Sequence, residues 1–183
     1  MNQIKLTDLK LIRPDVKYKK SFLDGFRELT SDSDRYAWVY LGESVILSLP
    51  ENNFSEYVKI LLSRETKPDP NFVCDTTYWA LYEDQIVGRI SLRHELNKFL
   101  KKVGGHIGYI VRPSYRGRGV ASEMLRLILL TERAKNTGKL LLTCDENNTI
   151  SERTIIKNGG IFESLVELST ERPNKKHFWI NLR

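Results

Sequence analysis

The sequence predicts a single mixed α/β domain spanning residues 1–183, and three observations carry that expectation. With 183 residues, 40% of them hydrophobic, the chain can bury one sizeable core and falls near the common size of one domain. Tyr78–Tyr82 and Ile86–Leu92 are apolar runs separated by Glu83-Asp84-Gln85, the pattern of an antiparallel hairpin. The run Gly108–Ala121 reads as strand, glycine-rich turn and helix start in succession, and the helix leads into another apolar strand, a β-α-β unit.

The elements follow in order. Leu9–Arg13 alternates weakly and stops at Pro14, giving a first strand, and Val16–Leu29 sets Phe22, Leu23, Phe26 and Leu29 near one helical face. A second helix is expected over Phe54–Arg64. Lys67–Thr77, rich in Pro, Asp, Asn and Thr, reads as a loop ahead of the hairpin. Leu96–Val103 fits a helical turn or an extended linker, and Gly104-Gly105 breaks the chain before the strand His106–Val111. One helix is expected over Ala121–Asn136, where Met124, Leu125, Ile128 and Leu129 gather on one side and Thr137-Gly138 ends it. The strand Lys139–Cys144, the short helix Ile150–Asn158 closed by Gly159-Gly160, and strands at Ile161–Leu168 and His177–Leu182 complete the chain. The resulting order is β-α-α-β-β-β-α-β-α-β-β.

Composition narrows the class. The formal charge of +6 permits anionic partners, but the basic clusters Lys17–Lys20, Lys98–Lys102 and Lys175–Lys176 are short and scattered, so no nucleic acid is expected. Cys74 and Cys144 are the only cysteines, too few for a disulfide framework, and no Cys/His cluster suggests a metal. Met1–Lys10 has no apolar secretory core, and no segment reaches the ~20 apolar residues of a membrane span. A cytoplasmic location away from membranes is the expectation.

Arg116-Gly117-Arg118-Gly119-Val120-Ala121 is the segment with chemistry in it. The glycines allow a tight turn and close approach of backbone to a ligand, while the first turn of the following helix offers unpaired N–H groups and a positive dipole end. That combination suits a pyrophosphate. A nucleoside-triphosphate loop would need Lys and Ser or Thr after the glycine, where Val120 and Ala121 stand. A dinucleotide fingerprint fits better, with Asp145 after the next strand, but Ser122 occupies the third glycine position.

Arg116, Gly119 and Ala121, with Val111 and Pro113 ahead of them, match Arg/Gln-x-x-Gly-x-Gly/Ala and resemble motif A of the GNAT N-acetyltransferases. The element order is the family's as well. The resemblance implies a central, mixed, mostly antiparallel sheet of six to seven strands flanked by about four helices and splayed at the cofactor-binding strand. It also implies acetyl-CoA as cosubstrate, with Tyr109, Ile110 and Val111 holding the pantetheine and Arg116, Gly117, Arg118, Gly119, Val120 and Ala121 the pyrophosphate. Asn148-Thr149-Ile150-Ser151, followed by Lys157-Asn158-Gly159-Gly160, resembles motif B, which would set Asn148 and Ser151 on the cofactor arm. Without the family match, Asn148 reads as a helix cap.

One position departs from the pattern. The tyrosine that protonates the leaving thiolate in many GNAT enzymes corresponds here to Ile155, and a hydrocarbon donates no proton, so another group or water must serve. Tyr109 and Tyr115 lie nearby in sequence. For the base, His94, Glu95 and His106 are candidates by residue type and position. The run Leu92–Asn97, Gly104–Tyr109, the Arg-Pro-Ser loop and Asn-Gly-Gly resemble a mostly bacterial subgroup known only as predicted acetyltransferases, over about residues 70–183. The segment Arg93–Gly105 is where acceptor specificity would be sought. The expected activity is direct acetyl transfer to a primary amine of a small molecule or peptide; the alternative is a non-catalytic acyl-CoA-binding module. Family members often dimerise, which leaves a homodimer open.

Overall fold

A computed structural model describes residues 4–40, 47–68, 70–168 and 173–182; Asp69 of the expected loop and the extreme termini lie outside them. The strands are β1 (Lys10–Ile12), β2 (Asp75–Tyr82), β3 (Gln85–Arg93), β4 (Ile107–Val111), β5 (Lys139–Asp145), β6 (Ile161–Val166) and β7 (Lys175–Asn181). The helices are α1 (Lys19–Arg27), α2 (Asp32–Val39), α3 (Leu49–Asn52), α4 (Phe54–Ser63), α5 (Lys98–Lys102), α6 (Val120–Leu129), α7 (Glu132–Thr137) and α8 (Thr149–Lys157). Eight helices among the described residues exceed the four or so expected, because several are single short turns.

Local chemistry explains the differences from expectation. α2 buries only Trp38 and Val39, at its end, too little for periodicity to reveal it, yet Ser31 caps it by accepting the Asp34 N–H at 3.2 Å. The helix expected over Ala121–Asn136 is two helices, because Thr131 turns out of the first to accept the Ala134 N–H and start the second. The first residues of β2 fall inside the expected loop. Asp75, Thr76 and Thr77 are polar but almost wholly buried, and a strand accepts them because each has a partner, chiefly Arg64 on Asp75. Glu83 and Asp84 both have positive φ, 46° and 59°, the backbone of a two-residue hairpin turn.

The strands pair in the orders β1-β2-β3-β4 and β5-β7-β6, with every pair antiparallel. Ladder pairing stops between β4 and β5, so the splay falls where the family resemblance implies it. β6 forms the outer edge of the second sheet, and its register slips between Phe162 and Ser164, leaving Glu163 as the extra residue.

Each face of the first sheet has its own core. Trp79, Ile86 and Ile110 face Phe22, Trp38, Phe54 and Tyr57 from α1, α2 and α4, an aromatic cluster in which Trp38 donates to the Phe22 carbonyl at 3.2 Å. The alternate residues Ala80, Val87 and Val111 face Met124, Leu125 and Ile128 of α6, in a core that continues through Leu140, Leu142 and Phe178 of the second sheet. α6 thus spans both sheets and holds the fork together.

Candidate active site

The fork closes at one point. The His106 N–H donates to the Leu141 carbonyl at 2.7 Å, and the Leu141 N–H donates to His106 Nδ1 at 2.8 Å. Gly105 just before it has φ +60°, and a Cβ there would stand 2.5 Å from the Leu141 oxygen, so only glycine lets the strands meet. Beyond this seam β4 and β5 diverge around a cleft of about 780 Å³. Pairing with β3 uses one edge of β4, and the backbone groups of its other edge face the opening.

The glycine-rich turn forms the far end of the cleft. Arg112 and the Ser114 N–H both bind the Glu28 carboxylate, at 2.7 and 3.0 Å, which anchors the turn to α1. Burial pushes the Glu28 carboxyl up, but the hydrogen bonds from Arg112 and Ser114 outweigh it and hold the group below the usual carboxylate range. Gly117 and Gly119 have φ of +72° and +82°, and Gly119 starts α6 without a side-chain cap. A Cβ on Gly117 would meet nothing within 4 Å, whereas one on Gly119 would press on Leu6 Cδ1 at 3.0 Å. The opposite wall is α8, capped by Asn148, whose Oδ1 accepts the Ser151 N–H at 3.0 Å. Asn158 Nδ2 ties α8 to Ser122 of α6 at 3.1–3.2 Å.

Of the residues expected to hold the cofactor, Tyr109, Ile110, Val111, Arg116, Gly117, Gly119, Val120, Ala121, Asn148 and Ser151 line this cleft. Arg118 does not; its guanidinium lies over the Tyr115 ring at 5.7 Å. The Arg116 side chain donates to the Val111 carbonyl at 3.0 Å and to Asp34 of α2 at 2.9 Å, so part of its charge is already met. Thr143 and Arg153, not singled out in the sequence, also line the cleft, as do Lys157 of the motif B run and Lys175 of a basic cluster given no site role.

One polar contact across the cleft joins two expected residues. The Tyr109 hydroxyl lies 2.8 Å from Ser151 Oγ, and burial raises the Tyr109 phenol above its ordinary value, so at neutral pH it stays protonated and able to donate. Ile155, at the family's tyrosine position, is buried in the core.

The two histidines read as bases stand elsewhere. His106 is 7% exposed and fastened to β5, and burial lowers its pKa from 6.5 to about 4. His94 Nε2 contacts Thr76 Oγ1 at 2.8 Å, and its pKa is lowered, mainly by burial. Neither lines the cleft. The residue type suits a base, but just past the end of β3 and just before the start of β4 the two side chains meet Thr76 and the Leu141 N–H instead. Among the described residues no cluster of potential metal ligands occurs, and no helix is long and apolar enough to cross a membrane.

A second cavity of about 230 Å³ opens between α2 and the first sheet, lined by Tyr36, Ala37, Tyr40, Arg89, Ser91, Arg93, Gly108 and Tyr109. It shares Gly108 and Tyr109 with the cleft, so the two meet across β4. The sequence carried one unused signal of it: Arg89, Ser91 and Arg93 alternate with apolar residues in β3.

The profile of the acetyltransferase (GNAT) family matches residues 24–159, which takes in the β4 turn, α6 and α8. The chain belongs to the GNAT family. Among solved structures, it is similar to a GNAT acetyltransferase from Bacillus anthracis at 20% identity, covering 98% of each chain, with a TM-score of 0.64. It is also similar to RimL, a ribosomal L7/L12 alpha-N-protein acetyltransferase in complex with coenzyme A, at 16% identity over 96% of this chain and 95% of that one, TM-score 0.62. A third is MccE, the microcin C7 self immunity acetyltransferase in complex with acetyl-CoA and AMP, at 15% identity over 98% and 96%, TM-score 0.61. No curated protein matches the chain. These likenesses establish the GNAT fold, and the fork, turn and α6 described above are its parts in this chain.

Proposed function

We propose that the protein is an acetyl-CoA-dependent N-acetyltransferase that passes the acetyl group directly to a primary amine. The observation that carries this reading is the fork itself, opening beside β4 into a cleft that ends at the uncapped start of α6. A phosphate-bearing ligand fits there, because Gly117 leaves its side open and the first N–H groups of α6 are available. The coenzyme-bound RimL and MccE structures support the same ligand.

Acetyl-CoA would bring the reactive thioester; the chain's part is to hold, polarise and protonate. Main-chain groups of Tyr109, Ile110 and Val111 on the open edge of β4 would hold the arm and polarise the carbonyl. Arg116 to Ala121 would take the pyrophosphate, and Asn148 would position α8 against it. Tyr109, relayed or assisted by Ser151, would give its proton to the thiolate as the carbon–sulfur bond breaks. No histidine lines either cavity among the described residues, so we assign the proton leaving the amine to water. Bringing amine and thioester together supplies much of the acceleration.

The buried Ile155 favours one rival, a module that binds acyl-CoA without turning it over. Calorimetric titration with acetyl-CoA, with CoA and NAD as comparators, tests the shared premise: saturable acetyl-CoA binding is expected, and binding of NAD alone would overturn it. Thiol release with an amine panel then separates enzyme from module.

A further inference from the structure

The 230 Å³ cavity has the chemistry of an anion site beside the point where the acceptor must arrive. β3 places Arg89, Ser91 and Arg93 on one face by alternation, and Ser91 pairs with Gly108 of β4. The guanidinium groups have different tasks. Arg89, 3% exposed, closes the end of α2 by donating to the Ala37 and Tyr40 carbonyls at 2.9 and 3.0 Å, and to Thr77 Oγ1 at 3.1 Å. Its Nε has no partner among the described residues.

Among the described residues Arg93 hydrogen-bonds only through Nη1, to the carbonyls of Gly104 and Gly105 at 3.1 and 3.0 Å. Its Nη2 lies 3.6 Å from where a Cβ of Gly108 would stand, directly on the wall shared with the cleft. Between the two arginines, Ser91 is 5% exposed and lines the cavity. The buried group left unpartnered among the described residues of this wall is Arg89 Nε, which is costly unless a ligand or water meets it.

No carboxylate lines this cavity among the described residues. Tyr36, Tyr40 and Tyr109 are its other titratable groups, and behind Tyr40 stands Arg64, 5.3 Å from the ring centre. Asp75, the nearby acid, is held by Arg64 at 2.6 Å. The surroundings of the cavity are therefore cationic, with a planar guanidinium fork and a hydroxyl offered to one small, flat anion.

We infer that the acceptor is a small amino acid, whose carboxylate is gripped by Arg93 and Ser91 while its amine reaches Tyr109 and the cleft. The inference rests on the acetyltransfer reading and names the substrate class for it. The cavity holds on the order of ten non-hydrogen atoms at the volume a water takes in the liquid.

The test uses the whole chain with saturating acetyl-CoA and matched pairs of acceptors: each standard L-amino acid and β-alanine against its own carboxamide. Thiol release should occur with at least one free carboxylate and fall by about 10- to 100-fold with its amide, the range for hydrogen bonds to a charged group. Arg93→Gln should erase that preference and raise KM for the acceptor, with acetyl-CoA affinity unchanged. Arg93→Lys, which keeps the charge but not the fork, should restore the preference only in part. Equal or better turnover of amides, or discrimination that survives Arg93→Gln in a folded variant, overturns the proposal. So does acetyl-CoA binding with no turnover of any carboxylate-bearing acceptor, whereas failure to bind acetyl-CoA defeats the cofactor reading instead.

Discussion

Mild acid should loosen the fork through His106. Its ring is buried and accepts the Leu141 N–H through Nδ1, so a proton added there removes the acceptor and places a charge in the seam. Its folded pKa of about 4 lies below the ordinary 6.5, so between those values the unfolded chain binds more protons than the folded one. The stabilisation is complete above about pH 6.5 and is lost as the pH falls toward 4. The gap corresponds to about 3 kcal/mol when fully expressed, of which about 2 kcal/mol disappears between pH 7 and pH 5. Glu28, held below the carboxylate range, titrates lower and leaves that window to histidine. Urea denaturation at pH 7, 6 and 5 would measure the loss, with His106→Asn as the control. The Asn carbonyl can accept the Leu141 N–H without titrating, and this variant keeps His94, whose lowered pKa adds a loss of the same sign. Wild type should lose about 2 kcal/mol more than His106→Asn over the interval; equal losses in the two proteins would refute the role given to His106.

Other outcomes follow from the same contacts. Gly119→Val should weaken acetyl-CoA binding at least about tenfold in calorimetry, because a left-handed φ and the contact with Leu6 both oppose the side chain; unaltered affinity would remove the turn from the site. Gly117→Ala should cost the folded protein only about 1 kcal/mol, since its Cβ meets no atom. Tyr109→Phe should lower kcat by about 100-fold or more and Ser151→Ala by a smaller factor, each with acetyl-CoA affinity retained, and an unchanged kcat in the double variant would exclude them as proton donors. Asp75→Ala leaves the buried Arg64 charge without its carboxylate, and denaturant unfolding should record a loss of about 3–5 kcal/mol.

The site was legible where it is local. The turn from Arg116 to Ala121 and the cap at Asn148 are contiguous motifs whose physics is written in neighbouring residues. Arg116, Gly117, Gly119, Val120, Ala121 and Asn148 line one cleft, whereas the Arg118 side chain turns to Tyr115 instead. The second cavity was not legible, because it joins Tyr36 and Tyr40 to Arg89 and Arg93 across some fifty residues of chain, and α2 is too lightly buried to betray itself by period. His106 illustrates the other limit. A histidine at a strand start has the right chemistry for a base, and only the partner strand, Leu141, determines that its nitrogen is spent on the backbone.

The slipped register of β6 settles how the second sheet ends. Ile161, Phe162 and Leu165 on this outer strand are 72%, 53% and 46% exposed, an apolar rim that would otherwise recruit strands from other copies of the chain. The extra residue in the rim is Glu163, which breaks the even spacing of backbone donors and acceptors and sets a carboxylate among the oily side chains. A strand adding there would meet a mismatched ladder and have to strip water from a charge. The rim can stay apolar without becoming a template for growth.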